Sequence, residues 1–172
     1  MATKLPVRAL PSLAALRGLN KLSLADAWRH LSPIPYGNLA FSKLVGLRIP
    51  YSGSIGATVL ELSDGHARVE LKDKRGVRNH LDCIHAIALI NLGELTTGLA
   101  VFHRLDGRAK GIVTGLRIEY LKKARGTITA SCDVEVPEAP GKHDLEVEGV
   151  LRDSGGETVA KVWATWQIKQ GA

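Results

Sequence analysis

Glu94 is the only acid in the long apolar segment Cys83–Phe102, which follows a polar loop Asn79-His80-Leu81-Asp82 in the stretch RNHLDCIHAIALINLGELTTGLAVF from Arg78 to Phe102. Burying a carboxylate is costly unless it is paired, hydrogen-bonded or neutralised. A single acid in such surroundings therefore marks a candidate site for proton transfer or nucleophilic attack. At helical spacing Asn91 lies three residues before it and Thr97 three after, so the three form one polar stripe. His85 precedes Glu94 by nine residues. At 100° per residue that is half a turn out of phase, so His85 serves the start of the helix rather than the face of Glu94. Two ordinary readings stand beside the chemical one: Glu94 pairs with a structural Arg, or it faces solvent at a helix edge. For His85 the ordinary reading is a satisfied core histidine.

The residues that must hold Glu94 in place predict a helix over Cys83–Phe102. The segment lacks proline and is apolar on all sides, which argues for burial rather than a surface helix. It is also about long enough to cross a bilayer. His85, Asn91, Glu94 and two glycines interrupt it, and strands follow directly, so a central helix wrapped by a sheet is the expected arrangement, with no membrane span.

The wider composition narrows the class. The chain has 172 residues, 45% hydrophobic and 23% charged, as in a globular domain with a real core. Net charge is +6, but residues 1–25 contain Lys4, Arg8, Arg17 and Lys21 and no acid. The remainder carries 19 basic and 17 acidic side chains, a balance of only +2, which disfavours nucleic acid as a partner. Cys83 and Cys132 are too few for a disulfide framework and read as small buried residues. No secretory signal is evident, so a cytoplasmic location is expected; the basic N-terminus leaves organelle targeting as the alternative. His80, His85 and His103 form no recognisable metal-ligand spacing, and no metal or cofactor is expected.

Periodicity supplies the remaining elements. Ser23 and Asp26 resemble a capping box ahead of a helix over Leu24–Leu31, which the prolines at 33 and 35 end. A short helix is expected over Ala40–Gly46. Strands over Ile55–Leu62 and His66–Lys72 flank an Asp-Gly turn. After the long helix come Gly111–Lys122, with Ile112, Leu116, Ile118 and Tyr120 on one face, then Thr127–Val136, His143–Arg152 and Glu157–Lys169. Cys132 and Trp166 fall on the covered face and Trp163 on the other. The expected fold class is α+β: a helical lead-in over residues 1–50, then a domain over 51–172 built from one long helix against a largely antiparallel sheet.

This order resembles the hotdog fold. The spacing Asn79, His85, Glu94 resembles the Asn-x-x-Gly-x-x-His-Gly-Gly-…-Leu-Ala-Asp/Glu signature of acyl-CoA thioesterases of the phenylacetate-pathway type. Ile118–Gly126 is similar to the strand and basic turn that follow in that family. The resemblance spans roughly residues 50–170. It departs at Asp82, where the family has Gly, and at Ala86-Ile87, where it has Gly-Gly; the side chain of Ile87 narrows the approach to the backbone.

The resemblance implies an acyl-CoA thioesterase in which Glu94 is general base or nucleophile and Asn79 orients water or the thioester carbonyl. His85 would shape the loop, Thr97 would position the attacking water, and the Ala86 N–H would stabilise the oxyanion. Arg78, Lys122, Lys123 and Arg125 would meet the phosphates of coenzyme A. It also implies a homodimer or tetramer, with the loop of one copy meeting Glu94 of another. The competing reading is a hotdog module that binds acyl-CoA or a partner protein without catalysis.

Overall fold

The computed structural model describes residues 22–171. The basic stretch 1–21, and with it the targeting reading, lies outside the described residues. Helix α1 spans Leu24–Leu31 as expected, and its cap is the Ser23 side chain, which accepts the Asp26 N–H at 2.9 Å. Helix α2 is longer than expected, Gly37–Arg48, and a five-residue helix α3 follows at Pro50–Ser54 with proline in its first turn. Strands β1 (Thr58–Ser63) and β2 (His66–Leu71) form a hairpin around Asp64-Gly65, where Gly65 takes a positive φ of 74°.

The long helix α4 spans Ala86–Leu105 rather than Cys83–Phe102. Its start is displaced because Cys83 lies in a bend and Ile84 bridges to Arg78: the Ile84 N–H donates to the Ala124 carbonyl at 2.8 Å. His85 is the N-cap, and its Nδ1 accepts the Ile87 N–H at 3.1 Å. The far end runs on to Asp106, which closes the helix in the left-handed region. Strands β3 (Ala109–Tyr120), β4 (Ile128–Asp133), β5 (Gly141–Asp153) and β6 (Thr158–Gln170) complete one six-stranded sheet in the order β1-β2-β4-β5-β6-β3, antiparallel throughout.

The sheet wraps α4, which packs on β2, β4, β5 and β6; this is the hotdog arrangement. Cys132 and Trp166 are buried on the covered face, as the alternation predicts. The α4 segment passes for a membrane span by length and hydropathy, yet two-thirds of it is buried inside the protein. Ala27, Leu31, Phe41 and Leu44 from α1 and α2 share the core with Leu92 and Val101 of α4, so residues on both sides of position 50 belong to one packed interior.

One face assignment is corrected. Ile112 does not share a face with Leu116, Ile118 and Tyr120: it pairs with Gln167 on the outer side and is 63% exposed. The register shift between Val113 and Gly115 inserts a residue and reverses the alternation, so the later three residues lie opposite Ala164, Val162 and Ala160 on the inner side. Trp163 faces outward with the Arg117 guanidinium 3.6 Å above its ring.

Candidate active site

Glu94 sits near the middle of α4, half-buried, and no Arg or Lys pairs with it among the described residues. Neither ordinary reading applies: there is no structural arginine, and the carboxylate does not stand free in solvent. Burial raises its pKa above the usual carboxylate value, and the nearby Ser52 hydroxyl offsets part of that rise. Ser52 is itself only 5% exposed.

Ser52 reaches Glu94 because α3 lies unusually close to α2. A Cβ on Gly53 would stand 2.7 Å from the Cα and carbonyl oxygen of Gly46, a separation only two glycines allow. Periodicity gave no sign of this residue. Its only mark in the sequence is a small polar side chain in Pro50-Tyr-Ser-Gly-Ser54, 42 residues before Glu94.

Glu94 opens onto a slot of about 320 Å³ whose other walls are apolar: Leu24, Ile49, Leu95, Gly98, Phe102 and Trp166 among them. Gly98 lets the Trp166 indole lie against the helix, since a Cβ there would meet the ring at 2.9 Å. Phe102 and Trp166 pack edge to face, centroids 5.3 Å apart. Thr97, fully buried, fixes the indole: its Oγ1 accepts the Trp166 Nε1–H at 3.1 Å and donates to the Glu94 carbonyl at 3.0 Å. Its one proton is therefore committed to the backbone, and it supports the slot wall rather than a water.

The residues of the motif loop lie elsewhere. Asn79 Oδ1 accepts from the Leu81 N–H at 2.9 Å, the Cys83 N–H at 3.4 Å and the Cys83 thiol at 3.3 Å, so it closes its own loop, in which Asp82 has a φ of 51°. The Ala86 N–H, first of the helix, has no acceptor among the described residues, while the Ala86 carbonyl accepts the Tyr120 hydroxyl at 3.0 Å. His85 faces a mixed cleft of about 200 Å³ shared with Tyr51, Ser54, Ala88 and Asn91. Ala86 and Glu94 are eight residues apart, about 12 Å along the axis at 1.5 Å per residue. Within one chain, Asn79, His85 and Ala86 are not brought together with Glu94.

The four basic residues divide. Arg78 is bound to Asp73 at 2.6 Å, and that guanidinium holds the Asp73 carboxyl below its ordinary range. Asp73 also accepts the Gly126 N–H at 2.9 Å, so the pair ties the motif loop to the turn after β3. Lys122 is bound to Asp153 at 2.8 Å and to Glu157. Lys123 and Arg125 are exposed and form no ion pair among the described residues. No three His, Cys, Asp or Glu side chains gather as a metal set among the described residues.

The same fold recurs in solved structures. A structural-genomics protein, APC5556, is 29% identical over 86% of this chain and 99% of its own, with a TM-score of 0.74. PA5026 of Pseudomonas aeruginosa, a protein of unknown function given as a probable thioesterase, is 24% identical over 80% and 97%, with a TM-score of 0.68. The thioesterase enzyme SAV0944 of Staphylococcus aureus is 16% identical over 70% and 98%, with a TM-score of 0.61. At these identities the last two are alike in fold alone. No curated protein matches the chain. Residues 37–168, which include α2, α3, α4 and all of the sheet but the last two residues of β6, match one family across most of the chain, and the protein belongs to it: Domain of unknown function (DUF4442).

Proposed function

We propose that the protein hydrolyses acyl-CoA thioesters, with Glu94 as general base. The observation that carries the reading is a half-buried carboxylate with no cationic partner among the described residues, near the Ser52 hydroxyl, at the wall of an apolar slot on the central helix. Partial burial raises basicity without a cationic partner to quench it. Water attacks the thioester carbonyl carbon and its proton passes to Glu94. The carbon–sulfur bond then breaks, and the proton returns to the departing thiolate, leaving the free acid and the thiol. The names of the solved relatives support the hydrolase class.

The oxyanion donor in this reading is the free Ala86 N–H at the helix start of a second copy, since 12 Å of helix separates it from Glu94 within one chain. The twelve-residue edge strand β3 supports a dimer: one of its sides has no partner strand among the described residues, and Ile112, Leu116 and Tyr120 are exposed along it. A homodimer, or a tetramer built from it, follows. Exposed Lys123 and Arg125 are the cations left to meet coenzyme A phosphates.

One observation favours binding without turnover: Ile87, 52% exposed, stands beside the proposed donor where a glycine would leave it open. Glu94→Gln decides between the readings. Hydrolysis across acyl-CoAs should fall by roughly 10²–10⁴-fold, the scale of a lost general base, while acyl-CoA affinity changes little. Wild type that binds acyl-CoA and hydrolyses none would establish the binding module instead.

A further inference from the structure

Glu94 divides α4 into two unlike halves. Toward the helix start the neighbouring cleft is mixed, with His85, Asn91, Tyr51 and Ser54 beside Ile55 and Val77. Toward the helix end the slot is apolar apart from Glu94 itself. A thioester straddling the carboxylate thus meets polar groups on one side and hydrocarbon on the other. Only the second suits an acyl chain, because each buried methylene is worth about 0.8 kcal/mol there.

The slot has a defined end. Phe102 lies eight residues beyond Glu94, about 12 Å along the axis, the length of an extended chain of roughly eight to ten carbons. The end is rigid. Trp166 is pinned by Thr97 and pressed against Gly98, and the Phe102 ring fills the space that Gly111 leaves on β3, where a Cβ would stand 3.1 Å from its tip. Leu24 of α1 and Ile49 between α2 and α3 form the remaining wall, so the helices ahead of the sheet help set the bore. A larger cavity of about 660 Å³ between α2, α3 and β1 shares the Leu95 wall and includes Ser52, but it holds no acid.

We propose that the slot is the acyl subsite and that the Phe102–Trp166 pair at its end selects straight acyl chains of about eight to ten carbons. The proposal rests on the thioesterase reading for its turnover but not for its binding. Ile49 and Phe102 are specificity-determining residues, one narrowing the bore and the other ending it.

The test uses the full chain, straight acyl-CoAs from four to sixteen carbons, and the non-hydrolysable thioethers S-butyl-, S-decyl- and S-hexadecyl-CoA. Wild-type kcat/KM should climb several-fold for each pair of methylenes up to eight or ten carbons, then fall at least ten-fold by sixteen. Ile49→Trp places a large ring in the slot from a position already 43% exposed, so the fold tolerates it. It should move the optimum to six carbons or fewer and weaken S-decyl-CoA at least ten-fold. Phe102→Leu should move the optimum to longer chains. Leu47→Trp fills the larger cavity and should leave the profile unchanged. A flat profile, an optimum at fourteen to sixteen carbons, indifference to Ile49→Trp, or shortening by Leu47→Trp would each overturn the proposal. If no acyl-CoA is hydrolysed, the thioesterase reading fails, and the thioethers still decide the slot. Tighter binding of S-decyl- than of S-butyl- or S-hexadecyl-CoA, lost in Ile49→Trp, supports it; equal binding overturns it.

Discussion

The start of α4 and its middle are built on opposite principles. At the start, polar groups abound and nearly all are matched: Asn79 closes its own loop, His85 caps the helix, Arg78 holds Asp73 and Lys122 holds Asp153. In the middle there is one charged group in an apolar slot, with a serine as its named partner. Matched groups hold a shape, whereas an unmatched carboxylate retains the basicity and access that chemistry needs. The family-like spacing is concentrated in the first region; the reactive group stands in the second.

The sharpest way to break this contrast is to delete one group from each region. Glu94→Gln should cost roughly 10²–10⁴-fold in thioester hydrolysis, whereas Asn79→Ala, which loosens a loop, should cost about ten-fold or less. Equal losses in steady-state assays would mean that the loop takes part in the chemistry as directly as the carboxylate does.

Ser52→Ala probes the middle alone. The Ser52 hydroxyl lowers the Glu94 pKa against the rise caused by burial, so its removal should move the acid limb of kcat/KM to higher pH. Activity should drop on the acid side of the profile and recover in more alkaline buffer. A uniform loss at every pH would make Ser52 structural instead.

Among the cations, Lys123→Ala and Arg125→Ala should each raise KM for acyl-CoA by about two- to five-fold, an effect that fades with added salt. Arg78→Ala should instead lower the melting temperature, because Asp73 loses the partner that ties two segments together. Reversal of that pattern would show that Arg78 leaves Asp73 for the ligand.

The smallest effect is on stability. Glu94 has a raised pKa in the folded protein, so ionising it opposes folding. The favourable contribution is complete below the unfolded value and is lost as pH rises through the folded one. Glu94→Gln should therefore melt slightly above wild type at pH 8, with the difference shrinking as pH falls toward 4. A variant less stable at pH 8 would show that the ionised carboxylate has a stabilising partner.

The sequence alone determined the helix over Leu24–Leu31, the long central helix to within a turn, the antiparallel strands and the covered positions of Cys132 and Trp166. These follow from period, capping and turn chemistry, which act between residues close in the chain. It also singled out Glu94, since one acid in an apolar helix is visible as a violation of pattern. The face of Ile112 was lost because one bulged residue reverses a strand's alternation without a mark in composition. Only the tertiary structure decided that Ser52 meets Glu94, that Thr97 serves Trp166, and that Arg78 and Lys122 are occupied while Lys123 and Arg125 are not. Ser52 and Glu94 are 42 residues apart, Thr97 and Trp166 are 69 and Lys122 and Asp153 are 31, distances at which periodicity carries no information; Arg78 meets Asp73 only five residues away, but which acid it meets is settled by the folded loop.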